Sequence, residues 1–185
     1  MNSKYLAVVF PGIGYHKDKP LLYYASKLAL NHGYDLFFLE YSDLPQGIKD
    51  DPARRQEAFE LAYEQVEKRM KNVNLSDYTR VVFIGKSIGT ILAAKYAADH
   101  HYYNSKQLWY TPLIETFSFG VTNALAFIGD ADPWSDVDAV KATAVEQGIE
   151  MLSYPDCNHS LECSDVNENI RILGEVMKRS EEYIR

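Results

Sequence analysis

Residues 83–90 read "FIGKSIGT", and the architecture of the chain turns on which chemistry the central "GKS" belongs to. A phosphate-binding loop of the form G-x-x-x-x-G-K-[ST] needs a glycine five residues before Gly85, where it starts the turn around the phosphates. Arg80 stands there, and the intervening Val81, Val82, Phe83 and Ile84 are branched and apolar, the composition of a strand and not of a wrapping loop. The other reading is G-x-S-x-G, a strand-to-helix turn that exposes a serine hydroxyl. Gly85 and Gly89, two residues to either side of Ser87, then have a steric purpose, because side chains there would crowd the hydroxyl.

Working outward from that turn, apolar runs of strand length alternate with segments of helical period from one end of the chain to the other. That alternation predicts a three-layer α/β/α fold with a mostly parallel sheet of about six strands. The candidate strands are 4–10, 34–41, 79–84, 106–110, 123–128 and 149–154. Between the second and third, Phe59, Ala62, Tyr63, Val66 and Met70 form one helical stripe behind Asp51 as N-cap and Pro52 at the first helical position. The last helix repeats the pattern with Val166, Ile170, Leu173 and Met177. Both stripes read as core-facing. The helix that begins at Ser87 carries Gly89, Ala93, Ala94, Ala97 and Ala98, small residues that let it lie close against a sheet.

At 185 residues the chain fits a single domain spanning 1–185, with no repeat, low-complexity tract or linker-like shift in composition. Its formal charge of −7 argues against nucleic acid or an anionic membrane as the main partner, since both are bound through clustered Lys and Arg. The opening "MNSKYLAVVFPG" has a short apolar run cut off by Pro11 and Gly12, too brief for a signal-peptide core, and no run approaches the ~20 apolar residues of a membrane span. Two cysteines, Cys157 and Cys163, are too few for a disulfide framework. These readings give a cytoplasmic protein with its mature start at Met1.

In a doubly wound sheet, ligands bind beyond the carboxyl ends of the strands. The turns at those ends read "FPGIGYH", "GKSIG", "GDADPW" and "PDCNHSLE" after the first, third, fifth and sixth strands. They bring a serine, two aspartates and a histidine to one rim. A serine hydroxyl attacks carbon only as it loses its proton, so it needs an imidazole within hydrogen-bond reach. A carboxylate on the other ring nitrogen fixes the tautomer and stabilises the imidazolium. The amide of Ile88 points toward a developing oxyanion, and the second donor comes from "PGIG" at 11–14, with Ile13 the first choice and Gly14 the second.

In this order, "PGIG", "GKSIG", "GDADP" and "NHSLE" resemble the α/β-hydrolase superfamily, whose triad runs Ser, Asp or Glu, then His along the chain. The resemblance spans almost the whole chain. It implies a minimal α/β-hydrolase fold in which Ser87 is the nucleophile, Asp132 the orienting acid and His159 the base. The implied activity is cleavage of a small-molecule carboxylic ester or thioester through an acyl-enzyme, with no cofactor. An acyltransferase, a lyase or a binding module without turnover are the other occupants of such a scaffold. The chain departs from the family pattern in three places. It starts directly at the oxyanion-hole strand, has Pro11-Gly12 where His-Gly is usual, and has only "TPLIETFSFGVT" where many members insert a lid domain.

Each assignment has a plainer competitor. Ser87 fits a helix N-cap, Asp132 a turn before Pro133, and Asp130 is a second carboxylate for the acid role. Of the histidines, only His159 follows the last strand; His16 lies in the oxyanion loop, His100 and His101 end a helix, and His32 lies elsewhere. Lys86 reads as a turn residue with its amine in solvent. Cys157, His159 and Cys163 match no common zinc spacing, and no metal is assigned. Tyr15, Phe117, Phe119 and Trp134 are the candidate walls of a substrate pocket.

Overall fold

A computed structural model of the chain describes residues 4–48 and 51–185; the expected mature start at Met1 lies outside the described residues. Six strands, β1 (Tyr5–Phe10), β2 (Tyr34–Phe38), β3 (Arg80–Lys86), β4 (Lys106–Tyr110), β5 (Ala124–Gly129) and β6 (Glu150–Tyr154), pair in the order β2-β1-β3-β4-β5-β6. Every pairing is parallel. Among the described residues five α-helices accompany them, α1 (Pro20–Asn31), α2 (Pro52–Met70), α3 (Ile88–Asp99), α4 (Val137–Glu146) and α5 (Val166–Ile184); α1 to α4 lie between strands, α5 follows β6, and β4 is joined to β5 through the short helical turn Ile114–Phe119.

Alternation along the strands builds two cores. On β1, Leu6, Val8 and Phe10 face one layer with Ala62, Val66 and Met70 of α2, Leu92 of α3 and Val140 of α4. Ala7 and Val9 face the other, with Leu22 and Ala25 of α1 and Ile172 and Val176 of α5. Helices therefore cover both faces, and the central strands β1 and β5 are almost wholly apolar and buried, as a doubly covered parallel sheet requires, while the edge strands β2 and β6 are more exposed.

Local signals fix the helix starts. The Asp51 side chain accepts from the amide of Arg54 ahead of Pro52, the cap expected for α2. At α3 the first turn is jammed against the end of β1: a Cβ on Gly89 would lie 2.1 Å from the carbonyl oxygen of Phe10. Gly89 is therefore required by the approach of helix to strand.

Three expectations about elements need correction. β2 ends at Phe38, short of the expected 41. β3 runs past Ile84, because Gly85 and Lys86 pair with Trp109 and Tyr110 of β4. The stripe on α5 is rotated from the one expected: Ile172, Val176, Ser180 and Ile184 are buried, while Val166 and Ile170 are 70% and 64% exposed. At about 100° per residue Ile170 lies on the side of α5 opposite Ile172, and Val166 is also turned away from the buried face. On the buried face Ser180 is held by a 2.7 Å hydrogen bond with the Tyr110 hydroxyl.

Candidate active site

The order of the strands reverses at β1, whose two neighbours are β2 and β3. Such a switch point leaves a crevice beyond the strand ends, and the turns after β1 and β3 meet there. At the end of β3, Ser87 has φ 56° and ψ −126°, a left-handed backbone held by the hydrogen bond from its amide to the Tyr110 carbonyl, 3.0 Å. Its side chain makes no capping bond to α3. Gly85 is confined as well, since a Cβ there would lie 2.9 Å from backbone atoms of Thr90.

The Ser87 hydroxyl instead lies 2.7 Å from Nε2 of His159, in the loop after β6. Nδ1 of the same ring lies 2.6 Å from Oδ2 of Asp132, in the loop after β5. A carboxylate only accepts, so Nδ1–H donates to Asp132 and Nε2 accepts from Ser87. The remaining oxygen of Asp132 accepts from the amide of Trp134 at 2.8 Å. Its competitor Asp130 is turned to α4 and paired with Lys141 at 2.5 Å.

Backbone contacts hold these two loops together. A Cβ on Gly129 would meet the Cys157 carbonyl at 2.2 Å, and the amide of Ala131 donates to that same carbonyl at 2.9 Å. Cys157 is fully buried beneath the loop, and burial pushes its thiol up to about 11, so it is a packing residue. Within the His159 loop, Asn158 Oδ1 accepts from the amide of Ser160 at 2.7 Å.

Burial also governs His159. Its side chain is 17% exposed, and loss of water lowers its pKa below the ordinary imidazole value against the opposing bond to Asp132; the cation of Lys86 lowers it further. The ring is thereby kept neutral and able to accept a proton.

After β1, Gly12 and Tyr15 exchange backbone hydrogen bonds of 3.1 and 3.3 Å around a two-residue turn in which Gly14 has φ 74°. The turn uses the amides of Gly12 and Tyr15, leaving those of Ile13 and Gly14 outside that pair. Ile13 and Gly14 line the same cavity as Ser87 and Ile88, the first residue of α3, whose amide is at the positive end of the helix dipole.

That cavity has a volume of about 830 Å³. Tyr15 and Trp134 line it, as does Phe119; the Trp134 ring lies 5.8 Å from that of His159. Phe117 does not. It is buried edge-on against Trp109, 5.4 Å between ring centroids, because the helical turn Ile114–Phe119 directs it at the sheet. The same turn supplies Ile114 and Phe119 as one wall of the cavity, and Phe59 at the edge of the α2 stripe supplies another.

Lys86 departs most from its sequence reading. It is 1% exposed, lines the cavity, and sets its Nζ 4.9 Å from the ring centroid of Tyr15. Strand alternation holds the missed signal: Val82, Ile84 and Lys86 share one face, and the first two are in the core. His16 is exposed beside Asp18, while His32 and His100 pair with Glu181 and Glu67, away from Ser87.

No family model matches the chain, and no curated protein does. Solved structures do. An esterase from Pyrococcus furiosus superimposes with a TM-score of 0.67 at 12% identity, over 98% of this chain and 82% of its own. A putative hydrolase of the alpha/beta superfamily from Xanthomonas campestris gives 0.68 at 14%, covering 98% and 97%. Est1E from Butyrivibrio proteoclasticus gives 0.66 at 12%, covering 100% and 90%. The likeness extends over nearly the whole of this chain and most of each of the others, and the architecture is that of the alpha/beta hydrolases.

Proposed function

We propose that this chain, with its α/β-hydrolase fold, is a serine hydrolase that cleaves carboxylic esters or thioesters through an acyl-enzyme. Ser87 attacks the carbonyl carbon as its proton passes to Nε2 of His159, and Asp132 stabilises the imidazolium that forms. The amides of Ile88 and Ile13 receive the oxyanion of the tetrahedral intermediate. Collapse expels the alcohol or thiol with the proton from His159. Water, deprotonated by the same ring, then attacks the acyl group and releases the acid and a free Ser87.

The reading rests on one observation, the continuous hydrogen-bonded chain from Ser87 through His159 to Asp132, 2.7 and 2.6 Å long. The apolar walls around it, Phe59, Ile91, Ile114 and Phe119 among them, favour an extended or bulky apolar acyl group over acetyl. A panel of p-nitrophenyl esters from acetate to decanoate tests both parts. Turnover should rise beyond acetate, vanish in Ser87→Ala, and shift toward shorter acyl chains in Phe59→Trp. Absence of turnover across the panel would contradict the reading. Added acceptor alcohols, with acid and transferred ester quantified, separate hydrolysis from acyl transfer.

A further inference from the structure

We propose that Lys86 is a positioning residue of this site: its buried amine, set on the face of Tyr15 in the wall of the cavity that Ser87 and His159 also line, places a second positive charge where a protonated His159 would stand and so opposes its protonation. The inference rests on the assignment of Ser87, His159 and Asp132 to the reaction, and it adds a fourth side chain from the nucleophile turn itself.

The geometry begins with burial. Lys86 is the last residue of β3, almost wholly withdrawn from solvent, and an ammonium so placed is destabilising unless it is compensated. A methionine would fill the same space without that cost. The compensation comes from groups of the site. Nζ sits over the Tyr15 ring, and the tyrosine is itself fixed by accepting a 3.1 Å hydrogen bond at its hydroxyl from the amide of Leu21, in the first turn of α1. Asp132 is the carboxylate that acts on the amine, and its oxygens are committed to His159 and to the amide of Trp134. Lys86 thus joins the oxyanion turn, the nucleophile turn and the acid–base pair.

The titratable groups facing Lys86 come from four elements: Tyr15 from the turn after β1, Tyr110 from its pairing partner β4, Asp132 from the loop after β5, and His159 from the loop after β6. Glu162 acts on Tyr15 from beyond. Burial raises both phenols, Tyr15 to about 12, so they stay neutral. Burial lowers the amine to about 7. Lys86 is therefore the member that changes charge near neutrality, and in the lower range where His159 takes up its proton the Lys86 amine is a cation that repels the imidazolium.

Histidine ring resonances followed by NMR from pH 4 to 8.5 test this in the wild type, Lys86→Met and Lys86→Arg, with His16, His32, His100 and His101 reporting whether the fold is kept. In Lys86→Met the His159 midpoint should rise by about half a unit or more, and in Lys86→Arg, whose charge is permanent, it should lie at or below the wild-type value. An unchanged midpoint in Lys86→Met, or a raised one in Lys86→Arg, overturns the proposal; if the methionine variant does not fold, the arginine variant decides. Ester turnover by the wild type is scored separately. Turnover with no shift removes the role of Lys86 and leaves the hydrolase, whereas a shift with no turnover upholds the coupling and removes the hydrolase.

Discussion

Ser87, the proposed nucleophile, has a backbone that most residues avoid, φ 56° and ψ −126°. Holding a residue with a Cβ in such a conformation costs roughly 1–3 kcal/mol, which glycine does not incur. Ser87→Gly should therefore unfold at higher urea than Ser87→Ala by about 1 kcal/mol, while both lose turnover by a factor of about 10⁶. Equal stability of the two variants would argue against strain at the turn. His159 sets the pH response. Its neutral form is the proposed base, and burial disfavours the protonated form, so kcat/KM should climb with pH to a midpoint below the ordinary ~6.5 and then level off. The same sign applies to stability: as pH falls through ~6.5 the unfolded chain takes up the proton first, and this histidine then weakens the fold. A midpoint above 7 in a pH series of kcat/KM would contradict the burial account. At this scale the sequence disclosed the three side chains that meet, because a Ser between glycines and an Asp and a His at later strand ends are local signals. The state of Lys86 was hidden, since it depends on Tyr15, Asp132 and His159, which lie far away in the chain.

The strand–turn–helix unit of β3 and α3 is the element on which the site is built. Its close fit to β1 leaves no room at Gly89, where a methyl group would overlap the Phe10 carbonyl. Gly89→Ala should cost about 3 kcal/mol or more in chemical unfolding and displace the Ile88 amide, with loss of turnover. The mid-helix Gly174 of α5, with nothing within 4 Å of a built Cβ, is the control: Gly174→Ala should stabilise the chain by about 0.5–1 kcal/mol. Comparable effects at the two glycines would refute the packing argument. Strand positions were legible because buried parallel strands are runs of branched apolar residues. The α5 stripe was not, because Val166 and Ile170 are apolar yet lie on the side of the helix turned away from the buried Ile172 and Val176. Periodicity reports which residues share a face, and tertiary packing decides which face is buried.

For the molecule as a whole, topology does what no single element can. The reversal of strand order at β1 brings the turn at 12–15 against the turn at 85–89, and the parallel order of β5 and β6 carries Asp132 and His159 to the same rim. Among the described residues no helix is long and apolar enough to cross a membrane. The rim was readable from the succession of strand ends, whereas the cavity walls were not: Phe59 lies on a helix whose stripe otherwise packs on the sheet, and Phe119 on a short turn without periodicity. The central claim is that the Ser87 hydroxyl, deprotonated by His159, bonds covalently to an electrophilic centre. Labelling the wild type and Ser87→Ala with a fluorophosphonate, followed by peptide mass spectrometry, measures that bond directly. A single adduct on Ser87, absent from the variant, is the expected result; no adduct, or one on another side chain with Ser87 unmodified, would contradict it.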